Sequence, residues 1–157
     1  MFRPISRHKQ ALTRERCEEI LTSSLRGVLS VTGDGDFPYA ILLNHYFNQD
    51  GCIYFHSGMS GHKIDAITAK DKVCYTVISD GTVSEHTWAK TFESVIVFGR
   101  IEIVNDVILT ERIARALSHK FTSDEEYINK EIKGFLSRTL LLKLTPLHIS
   151  GKRVVES

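Results

Sequence analysis

The run "FHSGMSGHKIDAI", residues 55–67, starts like the end of a buried strand, breaks at small residues, and restarts as a helix with His62 and Lys63 on its first turn. A cation there faces the positive end of the helix dipole, which disfavours it. The cost is offset if an anion docks on the same turn, because the first N–H groups of a helix are unpaired and phosphate is their usual occupant. Ser57, Ser60 and Gly61 would let the backbone approach closely, and either hydroxyl could cap the helix or donate to a phosphate oxygen. The competing reading is a solvated lysine on a surface helix capped by Ser60.

Other chemistries find less support. His45, His56 and His62 cluster near Cys52, but the six-residue step from His56 to His62 crosses a strand-to-helix junction and is not a ligand spacing, so no metal is expected. Cys52 sits in a strand context with no helix dipole to lower its pKa, which argues against a Cys/His nucleophile. No pair of carboxylates stands out for acid/base work. The chain has no Gly-rich Walker loop and no dinucleotide fingerprint.

With 157 residues, 42% hydrophobic and 25% charged, the chain reads as a single domain over 1–157 with an ordinary core. A formal charge of +1 offers no general attraction to nucleic acid or to an anionic membrane. No apolar run approaches the roughly 20 residues that span a bilayer. The first residues lack the apolar core of a secretory signal. Three widely spaced cysteines, Cys17, Cys52 and Cys74, suit a reducing compartment, and a cytoplasmic location is expected. Cys52 and Cys74 read as core fillers.

The elements that must position residues 55–67 follow from periodicity. "TRERCEEILTSS" puts Cys17, Ile20 and Leu21 on one stripe and predicts a helix at about 13–24. "GVLSVT", "PYAILLNHYF" and "CIYFHS", separated by "GDGD" and "NQDG", predict a three-stranded antiparallel meander ending near residue 57. After the helix comes the strand "KVCYTVIS", then 80–93 without a clean period, a long loop carrying Trp88. "SVIVFGRIEIV" reads as the longest strand, with Gly99 at a bend or bulge. Two short helices follow, the second with Ser123 and Glu126 at capping-box spacing, and "RTLLLKLTPLHISGKRV" returns as a last strand. The class is mainly β: a small antiparallel barrel of Greek-key type with flanking helices.

The ordered set "PY…LN…YFHS…GHK…SVIVFGR" resembles the flavin-binding split-barrel superfamily typified by pyridoxamine 5'-phosphate oxidase, and within it the nitroimidazole-resistance type of flavoprotein. The likeness covers roughly residues 10–150. It implies a homodimer with flavin mononucleotide (FMN) in each of two clefts between subunits, FAD being possible in its place. By the same resemblance, the backbone of Ile41, Leu42, Leu43 and Asn44 runs beside the isoalloxazine ring. Phe55, His56 and Ser57 meet the ribityl chain and phosphate, and His62 and Lys63 take the places of the basic residues that hold the phosphate, beside the close backbone approach read above at Gly61. Ser94 reaches the flavin from the partner subunit and Trp88 covers the ring.

Two departures separate the chain from enzymes that oxidise pyridoxamine phosphate. Asn44 stands where those carry a lysine, and "LHISGKRVVES" has no counterpart of their C-terminal arginine and histidine. The implied activity is instead reduction of a small electrophile such as a nitroaromatic, the cofactor supplying the chemistry, with His56 as candidate proton donor. A haem-binding relative, with His56, His62 or His86 as axial ligand, and a flavin-storage or sensing protein without turnover are the alternatives.

Overall fold

In the computed structural model, residues 1–83, 85–86 and 90–155 are described. Helix α1 (Arg14–Ser23) begins where the Thr13 side chain accepts the Arg16 N–H, and its Cys17, Ile20 and Leu21 are buried as the stripe predicts. β1 (Arg26–Thr32) and β2 (Pro38–Asn44) form the expected hairpin, from Arg26 opposite Asn44 to Thr32 opposite Pro38. β3 (Tyr46–Phe47) and β4 (Ile53–Ser57) form a second, shorter one.

The predicted meander does not form. Its second strand breaks at His45, a fully buried residue whose ring Nε2 is 2.7 Å from the Leu21 carbonyl and whose N–H donates to Leu25. Those bonds turn the chain out of β2, and β4 pairs with the last strand instead. Helix α2 (His62–Ala69) follows, then β5 (Lys72–Ile78), the two-residue β6 (Thr82–Val83), β7 (Lys90–Val104), α3 (Val107–His119), α4 (Glu125–Phe135) and β8 (Leu140–Val155). β6 pairs with the start of β7, so part of the stretch read as a structureless loop is a hairpin. β8, at 16 residues, outruns the 15 of β7. Asp124, not Ser123, caps α4 by accepting the Tyr127 N–H.

All strand pairs are antiparallel, in the order β2-β1-β5-β7-β8-β4-β3, with β6 added to β7. The β7–β8 ladder slips register between Phe98 and Gly99, where Pro146 and His148 are successive partners, so Leu147 is the extra residue of a bulge. A side chain at 99 would run into the Thr145 carbonyl, which is why the bend carries a glycine. The sheet curls around Leu29, Phe55, Tyr75, Val77, Val95, Val97 and Leu142, all fully buried. Smaller clusters, Cys52 with Tyr54, Ile113 and Leu141, and Ala114 with Ile128 and Ile132, seat α3 and α4 on its other side. Cys74 is half-buried rather than a core filler.

Candidate functional site

The curled sheet does not close. Among the described residues β2 pairs only with β1, leaving its outer edge free, and β4 beyond Tyr54 has β8 on one side and no strand on the other. β2 and β4 approach each other without a ladder. The chain leaves this split at Ser57 and enters α2 at His62, five residues later, so a free strand edge and a helix N-terminus lie at one opening.

Gly61 occupies the N-cap position of α2 at φ +119°, a conformation that side-chain-bearing residues rarely adopt, and no side chain caps the helix. The Ser60 cap of the competing reading is therefore absent, and the N–H groups of His62 and Lys63 keep their capacity to donate, that of Ile64 being taken by the Gly61 carbonyl. Lys63 is half-buried, makes no ion pair among the described residues, and has its pKa lowered by that burial. A desolvated ammonium without a counter-charge beside uncapped amides fits a phosphate.

His62 is placed differently. Its ring stacks on Tyr39 at 4.2 Å, Nε2 accepts the Asp34 N–H at 3.3 Å, and Asp34 Oδ1 lies 3.6 Å away. Accepting that N–H leaves no hydrogen on Nε2, so His62 ties α2 to the β1–β2 turn, and Lys63 is the cation left for an anion. Tyr39, Asp34 and Gly33 belong to this corner too. Only the neighbouring turn signal "GDGD" could have pointed to them.

Along β2 the side chains alternate. Ile41 and Leu43 pack on the main core, while Leu42, 63% exposed, and Asn44 face outward. A ligand along the free edge would meet the backbone of all four and the side chains of the latter two. Phe55 is fully buried, edge-on to Tyr75 at 4.9 Å, so only its backbone is available; Ser57 shares its face. His56 points the opposite way, its ring 6.2 Å from Phe135 of α4, with Nε2 buried and unpartnered. Burial lowers its pKa and keeps it a neutral imidazole. The strand therefore separates His56 from Ser57 rather than joining them.

Ser94 is half-buried on β7, paired with Ile78 and Lys152. It lies three strands from β2, about 14 Å at ordinary strand spacing. The outward face between them carries exposed Leu42, Ile78, Ile96 and Phe98. Trp88 lies outside the described residues. Glu93, next to Ser94, was not foreseen: nearly buried, it accepts from Arg16 Nη2 at 2.7 Å and from Arg153 Nη2 at 2.6 Å, joining α1, β7 and β8. A lone carboxylate in an apolar strand was the available signal. Among the described residues no group of His, Cys, Asp and Glu is arranged to hold a metal, and no helix is long and apolar enough to cross a membrane.

A curled antiparallel sheet with flanking helices is the mainly β fold expected from the sequence. The family model described as pyridoxamine 5'-phosphate oxidase matches residues 13–153. The chain belongs to the pyridoxamine 5'-phosphate oxidase family. Among solved structures similar to this family member, one from Bacteroides thetaiotaomicron is provisionally described as a 5-nitroimidazole antibiotic resistance protein. It shares 19% identity at a TM-score of 0.78, over 93% of this chain and 87% of that one. An FAD-binding protein from Mesorhizobium loti shares 24% at a TM-score of 0.63, over 94% and 97%. An FAD and heme binding protein from Mycobacterium smegmatis shares 21% at 0.72, over 92% and 72%. At these identities the likeness carries the fold alone. No curated protein matches the chain.

Proposed function

We propose that the protein binds FMN in the split, between two copies of the chain, and reduces small electrophiles such as nitroaromatics. The observation that carries this reading is Lys63, half-buried and without an ion pair among the described residues, on the uncapped first turn of α2. Support for a flavin comes from the family and from similar structures named for FAD. A single half-buried lysine on that turn matches a single phosphate, so the shorter flavin, which ends in one, is the one assigned.

Lys63 and the first amides of α2 hold the phosphate, and Ser57 with the backbone of Phe55 follows the ribityl chain. The free edge of β2 from Ile41 to Asn44 offers N–H and C=O groups to the ring, and outward Leu42 gives it an apolar rest. Ser94 comes from the second copy, consistent with its distance from β2. When bound, the flavin supplies hydride or electron transfer; the chain binds and orients it and keeps water from the reacting face. His56, on the α4 side of its strand, has no part in this arrangement.

Replacing Lys63 by alanine should weaken FMN binding about 30-fold, roughly the 2 kcal/mol of a charge-assisted contact. Riboflavin, which lacks the phosphate, should bind wild type and variant alike. Titration of flavin-free protein followed by fluorescence quenching measures both, with FAD run beside FMN. An FMN affinity unchanged in Lys63→Ala would sink the phosphate assignment.

A further inference from the structure

Lys120, just past α3, turns its side chain inward. Its Nζ donates to the carbonyl of Ser24, at the end of α1, and to that of His45 at 2.9 Å. Burial pulls its pKa down to about 8. His45, the residue after β2, has every polar atom engaged: its N–H donates to Leu25, its carbonyl accepts from Lys120, and its ring spans Leu21 and Tyr75. Reaching the Leu21 carbonyl requires a hydrogen on Nε2, so Nδ1 accepts from the Tyr75 hydroxyl at 2.8 Å. Burial keeps this imidazole neutral, its pKa lowered to about 4. The same hydroxyl lies 3.1 Å from the Leu43 carbonyl.

Lys120, just past α3, thus holds the carbonyl of the residue that follows β2, while the His45 ring ties that same residue to α1 through Leu21 and to β5 through Tyr75. Apolar residues at 120 and 75 would fill the same space without desolvating an ammonium and a phenol. That expense is concentrated at the end of a strand whose other edge is free.

We infer that Lys120, His45 and Tyr75 are positioning residues that hold the end of β2 where its free edge meets the flavin ring. The inference rests on the flavin reading above, but the grip on β2 exists without ligand. The charged and titratable groups facing Lys120 across a groove of about 870 Å³ are Glu15, Glu18 and Glu19 of α1 and Tyr46 of β3, with His45 beneath it. Glu18 and Glu19 are engaged with Arg14 and Arg16, and on α3 itself His119 pairs with Glu125. As the ammonium loses its proton, its two bonds lose their charge assistance.

Hydrogen exchange on the flavin-free full chain, comparing wild type with Lys120→Met and Tyr75→Phe, reads the grip directly. The amide of His45 and its neighbours in 41–46 should exchange about tenfold faster in both variants, with the β7–β8 ladder unchanged. In the FMN-loaded protein both variants should shift the visible bands and reduction potential of the flavin, and Lys120→Arg should restore them. The wild-type bands should move as pH rises through about 8, and those of Lys120→Met should not. Unchanged exchange in both variants overturns the inference whatever the flavin does, and so does faster exchange with a wild-type spectrum and potential. A wild type that takes up no flavin defeats the functional reading, and with it the assignment of these residues to the flavin. Exchange then still tells whether they hold the strand.

Discussion

Glu93 shows how one side chain sets a condition on the whole barrel. Hydrogen bonds from Arg16, and then from Arg153, hold its carboxyl below the usual range against the opposing effect of burial. A depressed folded pKa means the contribution is complete above the unfolded value of about 4.3 and drains away as pH falls through the lower folded one. Glu93→Gln should melt roughly 5 °C below wild type at neutral pH, with the gap narrowing as the medium is acidified. A gap independent of pH, in melting curves of the two proteins, would remove the carboxylate from the account. At this scale Lys63 was legible because a cation on a first helical turn conflicts with the dipole unless something answers it. The separation of His56 from Ser57 follows from strand alternation. The engagement of His62 with Asp34 and Tyr39 was hidden, since it depends on where the β1–β2 turn folds back.

Among the elements, β2 depends most on what lies behind it. Gly27, opposite Leu43 on β1, has no room for a side chain: a Cβ would lie 2.7 Å from Tyr75 Cζ and 2.5 Å from the Thr76 carbonyl oxygen. Gly27→Ala should cost about 2–3 kcal/mol, because the nearer obstacle is backbone. Gly134→Ala, near the end of α4 with nothing within 4 Å of the new Cβ, should gain about 0.5 kcal/mol. Urea titration of both variants checks the pair, and equal effects would contradict the packing argument. Strand and helix positions were readable from period and turn residues, including the Gly99 bulge. Pairing was not: β4 joins β8 from the far end of the chain, a choice made by burial rather than by local pattern, and buried His45 turns a run of strand-forming residues into two strands.

The whole molecule leaves Leu42, Ile78, Ile96 and Phe98 exposed on one sheet face, partly overlain by Phe2 stacked on Phe98 at 5.4 Å. With Ser94 about 14 Å from β2, a second copy on that face completes the proposed cleft. Light scattering should give a dimer. Ile96→Glu should give a folded monomer with unchanged circular dichroism and weakened FMN binding. A wild-type monomer that binds FMN tightly would count against the shared cleft. A flavin in the split would be read from the visible spectrum of the purified protein, followed by heat release and mass measurement of the chromophore. Flavin bands, and FMN at one per subunit, are expected. A haem band, or a colourless protein that FMN cannot load, would contradict that assignment.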